Sequence, residues 1–217
     1  MTSNKRFYLY NWITPILPDF GFFFKIRIWF LRFCGVVIDS SSNVSGSVRF
    51  TGSGEIVIGA NSTIKQGGLI NVGNGGKIVL GNNVLIAENV ILESLPYFKG
   101  KSSLIFGDNI DFMMGSIASA NGDSNVFIGS NCKIAHNVSI KATEHRISLE
   151  GDCIAGECVY RDITVSSGCW ICAGVIIIPG VKVGKRNVIA AGAVVTINTP
   201  DNVLVAGVPA SIKKVYS

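Results

Sequence analysis

An aliphatic residue returns every six positions over much of this chain. Val165, Ile171, Ile177, Val183, Ile189 and Val195 follow one another at that step. The same step links Ile38, Val44 and Phe50, then Ile58, Ile64 and Ile70, then Leu80, Ile86 and Leu92, then Ile128, Ile134 and Ile140. The next residue is often small, as at Gly59, Gly81, Ala87, Gly129, Ala135 and Gly184. Four residues after the aliphatic one stands another small or β-branched residue, among them Ser62, Val84, Cys132, Val138, Cys169 and Val175.

A step of six matches neither the 3.6-residue turn of a helix nor the alternation of a half-buried strand. It fits a chain that turns a corner every six residues, so that three sides close a triangular coil. The 18 residues from Val165 to Val183 are one such coil. Each coil buries little alone, but a stack buries a continuous aliphatic column and leaves edges only at its two ends. A β-sandwich would require period-two alternation. Ile58 to Leu80 is 22 residues and Ile128 to Val165 is 37, so corners carry insertions. The large one, over residues 146–161, is rich in charge and cysteine, and extruded loops are where sites tend to lie. Residues 93–125 are the least regular block, with Phe106, Phe112 and Ala118 holding the step only weakly.

Composition agrees with a turn-dense β protein. The 217 residues include 25 glycines and only 6 prolines, with 48% hydrophobic and 15% charged residues. Glycine supplies the positive φ of tight corners, and low charge with high apolar content excludes a disordered chain. The formal net charge of +5 suits an anionic small ligand or a phospholipid headgroup. No interleaved aromatic and basic stripe of the kind that binds single-stranded nucleic acid is present. No cleavable leader pattern opens the chain, and Lys25, Arg27 and Arg32 interrupt the apolar stretch 20–37 that would otherwise suggest a span. The expected location is the cytoplasm, at most peripheral to a membrane, with the six cysteines reduced.

The segment Cys169-Trp-Ile-Cys-Ala-Gly-Val-Ile-Ile-Ile-Pro-Gly-Val-Lys-Val-Gly-Lys-Arg-Asn-Val-Ile-Ala-Ala-Gly-Ala-Val-Val-Thr196, followed by Ala206-Gly-Val-Pro-Ala210, resembles the hexapeptide-repeat acyltransferases. The likeness runs from Ile56 to Lys214 and is closest to the sugar O-acetyltransferases, which include the maltose and galactoside enzymes and many capsule and O-antigen enzymes. It implies an all-β fold, a left-handed parallel β-helix over residues 38–217, with residues 1–37 as a short helical cap. Handedness comes from the resemblance alone, since parallel crossovers are ordinarily right-handed. The resemblance also implies a homotrimer with acetyl-CoA held between neighbouring subunits. The acceptor it implies is a bacterial surface polysaccharide or its lipid-linked precursor.

Mapped onto this chain, the family's catalytic histidine falls on His145, just before the long insertion. A sugar hydroxyl is a weak nucleophile at neutral pH, and an imidazole is suited to take its proton as it attacks a thioester. Glu144 is a candidate to orient that ring. Trp170 matches the tryptophan beside the pantetheine arm. Ala173 and Ala191 fall where the family's backbone meets the pantetheine amides, and Thr196 near the nucleotide. Ile197 stands where many sugar enzymes place a lysine for the CoA phosphates, so Lys185, Arg186 or Lys214 would supply that charge. The other histidine, His136, and Gly115, which replaces an acceptor-contacting asparagine of the maltose-type enzymes, are acceptor-side candidates. No metal is expected. Cys132, Cys169 and Cys172 occupy ordinary slots of the repeat, which leaves Cys153 and Cys158 without an explanation.

Three other readings compete. N-acetylation of a nucleotide-linked amino sugar usually comes with a larger N-terminal domain than residues 1–37 allow. A γ-carbonic-anhydrase-type metal site needs three histidines, and this chain has two. A non-catalytic scaffold would bind no CoA. In the N-terminal segment, Phe22, Phe23, Ile26, Trp29, Phe30 and Phe33 share one helical face beside Lys25 and Arg27. That face is expected either to lie at a membrane surface or, with Ile28 and Leu31 opposite, to belong to a cap over the first coil.

Overall fold

A computed structural model describes residues 3–97, 100–149 and 155–216. Three sheets form the faces of a prism, and from Val37–Ile38 to Val194–Val195 the strands visit them in rotation, apart from the two strands of one inserted arm. Face one has seven strands, from Val37–Ile38 to Lys182–Val183. Face two runs from Asn43–Val44 to Val188–Ile189 and ends in an antiparallel pair, Val203–Gly207 with Ala210–Val215. Face three has seven strands, from Arg49–Gly52 to Val194–Val195.

The six-residue step is the inward column of each face. Ile38, Ile58, Leu80, Phe106, Ile128, Val165 and Val183 are directly in register, one coil above the next. All are buried, as are their counterparts on the other two faces. Each contributes about 1.5–3 kcal/mol relative to leaving it exposed. The middle block, which the sequence makes look irregular, keeps the step in full. Phe106 and Phe112 meet edge to face at 5.3 Å inside one coil, and Ala118 takes its third side. Two large rings and one methyl fill a cross-section that every other coil but the first fills with three branched aliphatics. The step is conserved there in position but not in residue size.

Two edges of the prism are always tight. The turns from face one to face two and from face two to face three use four residues in every coil. From the second coil on, each of these corners places one residue in the left-handed region. Gly67, Gly115, Gly168, Gly174 and Gly192 serve some, Asn61, Asn83, Asn89, Asn109, Asn131 and Asn137 serve others, and Arg186 serves one. Asparagine tolerates this conformation better than other non-glycine residues. The amide of Asn83 also donates to Asn109, and that of Asn109 to Asn131, along the first edge. Polar slots inside the first edge follow one rule. The hydroxyls of Ser42 and Ser62 and the thiols of Cys132 and Cys169 each donate to a carbonyl of the next coil.

The third edge, from face three back to face one, takes the insertions. They lie at residues 73–75, 96–101, 122–124 and 142–162. The longest forms an antiparallel arm, Thr143–Ile147 with Ala155–Tyr160.

Helices α1 (Ser3–Ile13) and α2 (Phe22–Phe33) pack on the first coil. Asn11 accepts from the Phe50 amide and donates to its carbonyl, as a neighbouring strand would. Arg32 donates to the Ile38 carbonyl, and Thr14 to that of Gly46. The side of α2 that packs inward is Arg27, Ile28, Phe30 and Leu31, so of the expected aromatic face only Phe30 is buried. Phe22, Trp29 and Phe33 face outward. At the far end, Ala210–Val215 closes face two.

The shared filling of the Phe112 coil gives a test by chemical denaturation. Phe112→Ala is expected to cost about 3–5 kcal/mol, and Ala118→Phe alone about 1–3 kcal/mol through overpacking. The double substitution should cost clearly less than the sum; strict additivity would mean the two positions do not share one space.

Candidate active site

His145 sits on the third edge, in the arm. Strand pairing sets it opposite Cys158, and Thr143 opposite Tyr160. Directly opposed residues of an antiparallel pair lie on the same face, so His145, Cys158 and Tyr160 share one side of the arm. The His145 Nδ1 lies 2.9 Å from the Gly156 carbonyl oxygen. A carbonyl only accepts, so Nδ1 carries the proton and donates it. The Nε2 lone pair of the neutral ring is then left to act as a base. Cys158 Sγ stands 3.9 Å from both ring nitrogens.

Glu144 does not orient this ring. Successive strand residues point to opposite faces, and Glu144 is ion-paired with Arg161. The expectation that Glu144 would hold His145 is therefore corrected to the Gly156 carbonyl. An open depression of about 610 Å3 lies at this part of the arm, lined by Glu144, His145, Arg146, Ile147, Val159 and Arg161. On the His145 side, Tyr160 packs flat on Gly122, where a Cβ would come within 2.4 Å of the ring. Tyr97 lies 6.4 Å from Tyr160, centroid to centroid. Desolvation and the neighbouring Cys158 thiol raise the Tyr160 phenol above its ordinary value.

The cofactor-side candidates gather elsewhere. Trp170 points outward from face two and is 56% exposed. Ala173 and Ala191 stand on the second edge, which borders that face, in consecutive coils joined by the Gly192 amide and the Ala173 carbonyl at 2.9 Å. His136 and Gly115 belong to the same edge, below them. Lys185 and Arg186 form a corner of the first edge, the other border of face two. There the Arg186 guanidinium donates to Asn202. Lys214 lies in the strand that closes face two, its ammonium 5.2 Å from the Tyr216 ring centroid. Thr196 is the exception: it is exposed on the third edge, where face three ends.

The candidate residues therefore fall into two separate groups. Face two lies between the first and second edges, so it is the side of the triangle opposite the third edge, where the His145 arm emerges. The second edge also changes character along the prism. Gln66, Glu88, Met114 and His136 occupy its lower corners, then Ala173-Gly174 and Ala191-Gly192 the last two. A Cβ at Gly192 would meet nothing within 4 Å. The backbone there is open to an extended ligand.

Sequence reasoning missed Gly156, Arg161 and the tyrosine pair. Their roles depend on hairpin register and on loops from different coils meeting, which no local pattern encodes. Of the two cysteines the repeat left unexplained, Cys158 lies beside His145, and Cys153 falls outside the described residues.

No family model matches the chain. It is 43% identical over 54 residues to a galactoside O-acetyltransferase of Lactococcus lactis subsp. lactis (strain IL1403), a segment that is 25% of this chain and 26% of that protein. The match thus spans about a quarter of that curated relative. Among solved structures, a hexapeptide-repeat acetyltransferase from Vibrio cholerae O1 biovar eltor, complexed with acetyl coenzyme A, aligns with a TM-score of 0.54 at 25% identity, covering 66% of this chain and 72% of that one. An N-acyltransferase from Bacillus cereus, in complex with dTDP and 3-hydroxybutyryl-CoA, aligns with a TM-score of 0.56 at 18% identity over 86% and 87% of the two chains. The last likeness is one of fold. The resemblance to hexapeptide-repeat acyltransferases holds in sequence over the matched segment and in architecture over most of the prism.

The thiols give a direct check of the site's exposure. Burial pushes Cys34 up to about 11 and raises Cys172, while the hydrogen bond with Cys132, together with burial, raises Cys169 above the ordinary thiol value. Among the described cysteines, peptide mapping after brief alkylation of the native protein should find Cys158 modified first, with Cys34, Cys132 and Cys169 modified only on unfolding. Early modification of Cys132 or Cys169 would contradict the buried corner slots.

Proposed function

We propose that the chain is an acetyl-CoA-dependent acyltransferase whose active site forms between two copies. In this reading His145 of one copy faces face two and the second edge of the next. The observation that carries it is the 2.9 Å contact of His145 Nδ1 with the Gly156 carbonyl, which favours the tautomer whose Nε2 is the acceptor.

The chemistry is a single displacement. The acceptor hydroxyl oxygen bonds to the thioester carbonyl carbon as its proton passes to His145 Nε2. A backbone N–H of the small-residue corners steadies the oxyanion. Collapse expels the CoA sulfur, which takes the proton back from the imidazolium. No acyl-enzyme is needed, because the thioester is already activated. The bare backbone at Ala173-Gly174 and Ala191-Gly192 suits an extended pantetheine arm, with Trp170 on the adjoining face. Lys185, Arg186 and Lys214, which border the same face, suit the phosphates. Three copies closing around an axis would give three equivalent sites.

The acceptor in this reading is a hydroxyl of a bacterial surface polysaccharide or its lipid-linked precursor. Tyr97 and Tyr160 offer it an aromatic wall on the His145 side of the arm. The likeness in fold to an N-acyltransferase bound to dTDP favours one competitor, an amine of a nucleotide-linked amino sugar.

Release of CoA thiol from acetyl-CoA, measured against capsule and O-antigen oligosaccharides and against nucleotide-linked amino sugars, tests the reading. His145→Ala should lower turnover by at least ~100-fold. Glu144→Gln should change it by less than about fivefold, since Glu144 serves an exposed ion pair rather than the base. Near-normal turnover of His145→Ala would remove it from the mechanism, and turnover only with the amino sugars would replace the hydroxyl acceptor.

A further inference from the structure

The two N-terminal helices cover the first coil with one side each, and their other sides are apolar and bare. Tyr8, Trp12 and Ile16 project from the first helix and the turn after it, at 77%, 68% and 76% exposure. Phe22, Trp29 and Phe33 project from the second, with Trp29 and Phe33 stacked at 6.3 Å. The cap already has its apolar contacts through Phe7, Tyr10, Ile28, Phe30 and Leu31. So many exposed aromatics are not needed to close the prism, and a patch of this kind marks an interaction surface.

The charge around the patch says what the surface meets. Arg6 lies 5.1 Å from the Phe33 ring centroid and donates to the Phe33 carbonyl, tying the two helices together beneath a cation. Lys25, Trp29 and Arg32 line a shallow groove of about 300 Å3 at its side. Asp19 is the only carboxylate in residues 1–38, and buried Arg27 neutralises it at 2.8 Å. Asp39, which follows, is held by the amide and hydroxyl of Ser41. The patch is thus aromatic in the middle and cationic at the rim, with the ionised Asp39 near Arg32 as a negative charge at its margin. Among the described residues, no helix is long and apolar enough to cross a membrane.

We infer that this face docks on an anionic lipid bilayer, with Trp12, Trp29, Phe22 and Phe33 at the level of the upper acyl chains and Lys25, Arg32 and Arg6 among the headgroup phosphates. Apolar area supplies the adhesion and the rim cations the preference for anionic lipid. The prism would then stand with its first coil at the membrane and its later coils in water. The inference does not rest on the proposed acyl transfer, and its readout involves no catalysis.

Cosedimentation of the full chain with phosphatidylglycerol-containing vesicles, against pure phosphatidylcholine vesicles, tests it. The wild type should pellet with the anionic vesicles, and less so as salt rises. Trp12→Ser with Trp29→Ser should weaken partitioning at least about tenfold. Lys25→Glu, an exposed change that leaves the aromatics and the cap in place, should reduce binding to the anionic vesicles specifically. Light scattering and thermal melts of each variant accompany the assay. Equal partitioning of wild type and double variant, or no preference of the wild type for anionic vesicles, would overturn the inference. So would a fall in native mass in the double variant, which would make the patch an interface between protein chains.

Discussion

The register of inward side chains from one coil to the next is the constraint on which everything else depends. Ile, Val, Leu or Phe stacks directly on its counterpart above and below, and the backbone bonds between coils follow from that alignment. A slip of one residue would turn every one of these side chains outward. The alignment leaves little freedom at two corners, which stay at four residues throughout. It leaves the third corner free, because a loop that departs and returns there does not disturb the column. The insertions have collected at that edge, and the His145 arm is the longest of them.

From this follows a division of labour. The last two corners of the second edge offer almost bare backbone beside the outward Trp170 of face two. The irregular edge carries His145 and the Tyr97–Tyr160 pair. A triangle places an edge opposite a face, so the two sets cannot meet within one chain unless the arm folds far across it. Two copies packed side by side bring them together without any change in the coil. On this view the proposed site needs a second copy of the chain, and the trimer implied by the resemblance is one assembly that would supply it.

Much of the fold was legible because the rule is strictly periodic. Every residue named by the six-step is buried, including Phe106, Phe112 and Ala118, where the pattern looked weak only because size is traded within the coil. The asparagines at the left-handed corners carried a signal as regular as that of the glycines, and it was readable in the sequence. Glu144 shows the opposite case. Adjacency in sequence suggested a partner for His145, yet in a strand the adjacent residue faces away, and the true partner, Gly156, is set by the register of a hairpin. The tyrosines at 97 and 160 met for a similar reason: loops of separate coils stack on one edge.

The account centres on a site shared by two chains, and subunit mixing tests that most directly. His145→Ala removes the base from one half-site, and Ala191→Trp obstructs the open backbone of the other. Each variant alone should be inactive with acetyl-CoA and an accepted glycan. Unfolded together and refolded, they should regain turnover that neither has, because some interfaces would pair an intact arm with an intact edge. A mixture that assembles into mixed oligomers yet stays as inactive as its parents would contradict a shared site.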